Sequence, residues 1–183
     1  DPGDLSPDEA TQNFTRRPPG GNQKFNQENE LSQMESAAQS IEMSTGMFAY
    51  TLQCSPADKL SWKPTAEGQT TPGRDLLDMS QEVVGLNTAI VAQFTSTPMT
   101  PPTVTADNVV EIVLASGKVA ADVVRTLTPE QLNATYDMGW AQLKGSFLVG
   151  ILSFHASYHN GQANYIQTLY GDMEFHVPPG FMD

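Results

Sequence analysis

Four long segments whose apolar residues recur every three or four positions, with no convincing strand pattern between them, predict an all-α chain. The economical architecture is a four-helix bundle with an extended N-terminal arm and a short C-terminal tail. Length and composition agree. At 183 residues the chain suits one domain, and 39% hydrophobic residues supply a core. The 13 prolines gather mostly in the first twenty residues, between Pro98 and Pro102, and near the end, which leaves the intervening segments free to be helical.

Residues 1–26 are polar and rich in Pro and Gly, and read as an arm. Within it, Ser6-Pro7-Asp8-Glu9 can start one short helix. The bundle is expected over 27–172 and the tail over 173–183. A first helix over 27–53 buries Leu31, Met34, Ala38, Ile41, Phe48 and Leu52. Ser55-Pro56-Ala57-Asp58 carries a cap-plus-proline signature that leads to Leu60 and Trp62. A second helix over 72–94 points Leu76, Leu77, Val83, Val84, Ile90 and Val91 inward. After a Pro-rich connection, Thr105 can cap a third helix with the stripe Val109, Val113, Ala120, Val123, Val124 and Leu127. Its β-branched residues lower helix propensity slightly, yet the spacing favours helix over strand. Thr128-Pro129-Glu130-Gln131 is a capping box. The last helix runs over about 140–170 and Gly171 can stop it.

Nine basic against 21 acidic residues give a net charge of -12. No basic footprint exists for nucleic acid, and the charge opposes docking on an anionic membrane. No apolar run approaches the ~20 residues of a membrane span. The expectation is a soluble chain, cytoplasmic or exported after processing; a first residue of Asp suits a trimmed or processed chain. The single Cys54 forms no intrachain disulfide and is a weak candidate nucleophile. Asn13-Phe14-Thr15 and Asn133-Ala134-Thr135 match the glycosylation pattern, which is common by chance.

The last helix holds the chemistry. His155 and His159 stand four apart, so both imidazoles project from one helix face, in line with Leu148, Ile151, Gln162 and Ile166. Two inward imidazoles at that spacing can share a Zn, Ni or Fe ion, or can be core histidines bonded to neighbouring helices. Gln162 reads as a polar partner for a neighbouring helix, and Tyr158, Tyr165 and Tyr170 as packing. No phosphate-binding Gly-rich loop and no nucleophile elbow is present in the sequence.

The run His155-x-x-x-His159-x-Gly161-Gln162, with the turn Leu60-Ser61-Trp62-Lys63-Pro64 and the order of helices, resembles the DinB/YfiT-like superfamily over about residues 28–172. The resemblance implies a divalent metal held by three histidines, two at His155 and His159 and the third early in the second helix. That stretch here, residues 74–82, has no histidine, and none precedes His155. Asp78 or Glu82 could supply a carboxylate instead, giving a two-His, one-carboxylate set with open positions. Met79 suits the lost position as core filler. His176, beyond Gly171, reads as a surface residue.

Two functions follow as expectations. In the first, the metal is weak or absent and the chain works by self-association, its N-terminal arm gripping a neighbouring subunit of a homo-oligomer. Phe14 would anchor the arm and Arg16-Arg17 would pair with the acidic body. In the second, it is a divalent-metal-dependent enzyme of the thiol-transferase or hydrolase type, as the resemblance implies, built on His155, His159 and a second-helix carboxylate.

Overall fold

Helix α1 spans Gly21–Cys54 and is followed by a 3-10 turn at Ala57–Lys59. Helices α2 (Leu76–Thr95) and α3 (Val109–Arg125) come next, then the short α4 (Pro129–Asn133). A two-stranded hairpin of β1 (Thr135–Asp137) and β2 (Gln142–Lys144) leads into α5 (Gly145–Leu169). This computed structural model describes residues 21–65 and 73–180, with side chains from 32 onward. The chain divides into two units, 1–33 and 34–183. In the first, the described part is the opening of α1; the second holds everything discussed below. Most of the expected arm, including Phe14 and Arg16-Arg17, lies outside the described residues, and α1 already covers 21–26.

The class is mostly helical, as the periodicity predicts, and most of the expected stripes bury; Met34, Leu77, Val123 and Ile151 are only half-buried, and Leu31 lies outside the described side chains. Ala38, Ile41, Phe48 and Leu52 of α1 meet Val83, Val84, Ile90 and Val91 of α2 and Val113, Ala120 and Val124 of α3 in the core. Leu148, Leu152, Ala156, Ala163 and Ile166 of α5 complete it. α2 packs against both α3 and α5. Two apolar clusters result. One surrounds Phe48, Met79, Val83 and Ala156, and the other surrounds Ile41, Ile90, Leu148 and Leu152.

Polar bonds set the pairings that apolar packing leaves loose. Thr51 Oγ1 on α1 donates to Asn160 Oδ1 on α5 (2.7 Å), and buried Gln167 donates to the Thr51 carbonyl and to Ser55 Oγ (both 3.1 Å). Arg125 at the end of α3 forks onto Glu35 and Glu42 of α1.

Four local expectations are corrected. The last helix begins at Gly145, because residues 135–144 form the hairpin, with Trp140 exposed at its turn. The hairpin is seated on the end of α2 by Gln93, which donates to the Asp137 carbonyl, and by an edge-on Phe94–Tyr136 contact at 5.2 Å. α3 starts at Val109 rather than at Thr105; Asn108 Oδ1 accepts from the Thr105 amide, which closes a turn ahead of the helix. α2 is capped by Asp75, whose side chain and that of Asp78 exchange bonds with each other's backbone. Ser55 caps nothing, since its hydroxyl donates back to Thr51 within α1. The Thr128–Gln131 box forms as read.

α3 comes close to α1 at Gly117, where an added methyl would collide with the Thr45 side chain. Gly117→Ala raises intrinsic helix propensity by ~1 kcal/mol, yet overpacking costs about 1–3 kcal/mol. A net loss of stability in urea unfolding is expected. Stability that is unchanged or raised would show that the two helices are not held this close.

Candidate metal centre

Glu82 enters from α2, six residues past its first turn residue Leu76, and His155 and His159 enter from α5. Their ligand atoms all lie within 4.8 Å of one another. His155 Nε2 and His159 Nε2 are 3.0 Å apart, and Glu82 Oε2 is 3.4 Å from His159 Nε2. Two atoms that each bind one ion at about 2.1 Å must lie within about 4.2 Å of each other, and both His159 spacings, to His155 and to Glu82, meet that limit. Among the described residues, this is the group that could hold a metal.

The other candidates lie elsewhere. Asp78, one turn before Glu82, is taken by Lys63 (2.6 Å) and by the cap of α2, and the Lys63 hydrogen bond holds its carboxyl below the usual carboxylate range. Met79 is buried in the core, as a filler should be. His176 is largely covered rather than free on the surface, and bonds Asp172 at 2.8 Å. Cys54 is half-buried, and that burial pushes its thiol up, away from a nucleophile's requirement. Tyr170 packs edge-on against Trp62, but Tyr158 and Tyr165 are 52% and 66% exposed and are not core residues.

The two imidazoles differ in support. His159 is fully buried, and its Nδ1 bonds Gln162 Oε1 at 2.8 Å. A carbonyl oxygen only accepts, so Nδ1 carries the proton and Nε2 keeps its lone pair. This is the arrangement in which a ligating histidine is oriented by its other nitrogen. Gln162 therefore serves its own helix rather than a neighbouring one. His155 is partly buried, and its Nδ1 is enclosed without a hydrogen-bond partner. Without an ion, His155 Nε2–H can donate to His159 Nε2. As a ligand it must move that proton to the unpartnered Nδ1, which costs on the order of 1–3 kcal/mol.

Arg74, which the sequence did not single out, bonds Glu82 Oε2 at 2.7 Å. It orients the carboxylate and also competes for it. Arg74 lies just before the Asp75 cap of α2, so helical spacing gave no signal for its pairing with Glu82. Beside the group runs an open groove of about 560 Å³ walled by Pro64, Arg74, Met79, Tyr158, Gln162 and Tyr165. No family model, curated protein or solved structure matches the chain.

Burial, then the neighbouring His159 and Arg74, push His155 down from 6.5 to about 4. Burial lowers His159 as well, partly opposed by Gln162 and Glu82. Both rings are therefore neutral at pH 7, the form in which imidazole binds metal. A pKa depressed on folding means that the unfolded chain takes up the proton first as the pH falls. Stability of the metal-free protein should be complete above about pH 6.5 and decline between 6.5 and about 4. His155→Asn should lose less stability than the unsubstituted chain over that window in chemical unfolding. Parallel pH profiles would mean that His155 titrates as an exposed ring.

Proposed function

We propose that the chain is a DinB-like four-helix bundle that holds a divalent first-row transition ion on Glu82, His155 and His159. In this reading it uses the ion in a thiol-dependent transfer or a related hydrolytic reaction. The observation that carries the reading is Glu82, a carboxylate set against the histidine pair from the helix where the superfamily places its third histidine. Two imidazoles and one carboxylate leave coordination positions open, which suits a catalytic ion better than a structural one. Zn, Ni and Fe all accept this donor set.

A bound ion would supply Lewis acidity that favours the deprotonated form of a thiol or water at neutral pH. The chain's own residues do the rest. Gln162 fixes the orientation and tautomer of His159. Arg74 pairs with Glu82 and itself walls the groove, where an anionic substrate group would meet its guanidinium. Pro64, Met79 and Ile166 give the groove apolar wall, and Tyr158 and Tyr165 give it phenol hydroxyls. The unpartnered His155 Nδ1 and the competition from Arg74 both weaken the hold on the ion, so moderate affinity is expected.

The test is metal content after loading with Zn, Ni or Fe(II) and gel filtration, followed by consumption of a low-molecular-weight thiol in the presence of an electrophile. About one equivalent is expected, reduced at least tenfold in Glu82→Gln and His159→Ala and retained in Asp78→Asn. Thiol consumption should fall with the metal. Binding that survives Glu82→Gln but fails in Asp78→Asn would reverse the assignment. A fully loaded protein with no thiol or hydrolytic turnover would leave the site and remove the enzyme.

A further inference from the structure

The outer side of α5 carries an apolar stripe that nothing among the described residues covers. Phe147, Phe154, Tyr158, Tyr165 and Leu169 are 56%, 68%, 52%, 66% and 48% exposed. Half-buried Ile151, which packs against the core, borders the same line. At about 100° per residue, these six positions share an arc of about 60°. Steps of three and four, with Gly161 at the skipped position, give a heptad-like seam from Phe147 to Leu169. Phe154 and Tyr158 already stack along it, with ring centres 6.3 Å apart.

Charge identifies the occupant. Helix α5 contains no Asp, Glu, Lys or Arg in its 25 residues, although 16% of the whole chain is charged. The rest of the molecule supplies the net charge of -12, so a second copy is repelled from most approaches. Helix α5 itself adds nothing to that repulsion, and aromatic enrichment with charge depletion is the composition of an interface centre. The area is also sufficient. Fully burying an aromatic ring removes ~150–250 Å² from water. With half to two thirds of that still uncovered, the five exposed residues offer roughly 500–600 Å² per copy. Complete burial on a pair of copies would remove about 1,100 Å² from water, just above the ~1,000 Å² that a biological interface should clear.

We infer that two copies of the chain pair through this stripe, α5 against α5, about a twofold axis. Tyr158 stands at the middle of the stripe, 11 residues from Phe147 and from Leu169. It therefore meets its own counterpart whether the helices run parallel or antiparallel. Tyr158 and Tyr165 also wall the open groove that contains Arg74 and Gln162, so the second copy narrows that groove. The pairing itself does not depend on a metal.

Sedimentation analysis of the full chain at ~50 μM should give twice the mass of 19.9 kDa. Phe154→Glu with Tyr165→Glu should give the single mass with helical circular dichroism unchanged. In a Cys54→Ser background, Tyr158→Cys should form a covalent dimer under mild oxidation, and this decides the matter if the double substitution unfolds. A monomeric full chain, or no cross-link from Tyr158→Cys, would overturn the inference. So would a dimer that persists in the double variant but is lost when residues 1–20 are removed, since the N-terminal residues would then be the contact.

Discussion

The rotation of α5 about its own axis determines what every functional side chain can reach. Apolar packing alone would allow some slippage, because small residues such as Ala156 and Ala163 face the core. Polar bonds remove that freedom. Gln167 is buried with its amide on the Thr51 carbonyl and Ser55 Oγ, and Asn160 accepts from the Thr51 hydroxyl two turns earlier. Each bond is worth about 1 kcal/mol net, but a buried amide that loses its partner costs more, so the setting is enforced by penalty. With Asn160 and Gln167 turned to α1, His155 and His159 face Glu82 of α2, and Phe147, Phe154, Tyr158 and Tyr165 face outward. The metal group and the apolar stripe are thus two consequences of one constraint.

Within the group, burial and charge pull in different directions. Burial keeps both imidazoles neutral and ready to ligate, while the 40% exposed Glu82 side chain is paired with Arg74. His159 is supported through Gln162, and His155 has no such support. The two histidines, equivalent by spacing, are unequal as ligands. In the proposed site His159 would be the anchor, and His155 the ligand whose tautomer must change if an ion is bound.

The helical class and most of the core were legible, because a 3.6-residue period sustained over five turns is hard to mistake. The hairpin was not. Its strands have three residues each, too short for alternation to register, and the signal was confined to Asp137-Met138-Gly139, where Gly139 takes a positive φ and Asp137 caps its amide. The histidine pair was readable from spacing. The choice between Asp78 and Glu82 was not, since they lie one turn apart on the same face. Lys63, distant in sequence, claims Asp78 and leaves Glu82 for the histidines. Tyr158 and Tyr165 were misplaced because a helix buried on one side and aromatic on the other shows no polar face to orient it.

The central claim is that one ion is shared by a carboxylate and two imidazoles. X-ray absorption at the edge of Zn loaded into the full chain tests it most directly. The account predicts a shell of nitrogen and oxygen at about 2.0–2.2 Å with the outer-shell scattering of two imidazoles. One imidazole should be lost in His155→Ala. A sulfur neighbour at about 2.3 Å, which would implicate Cys54 or a methionine, or a shell without imidazole, would contradict it.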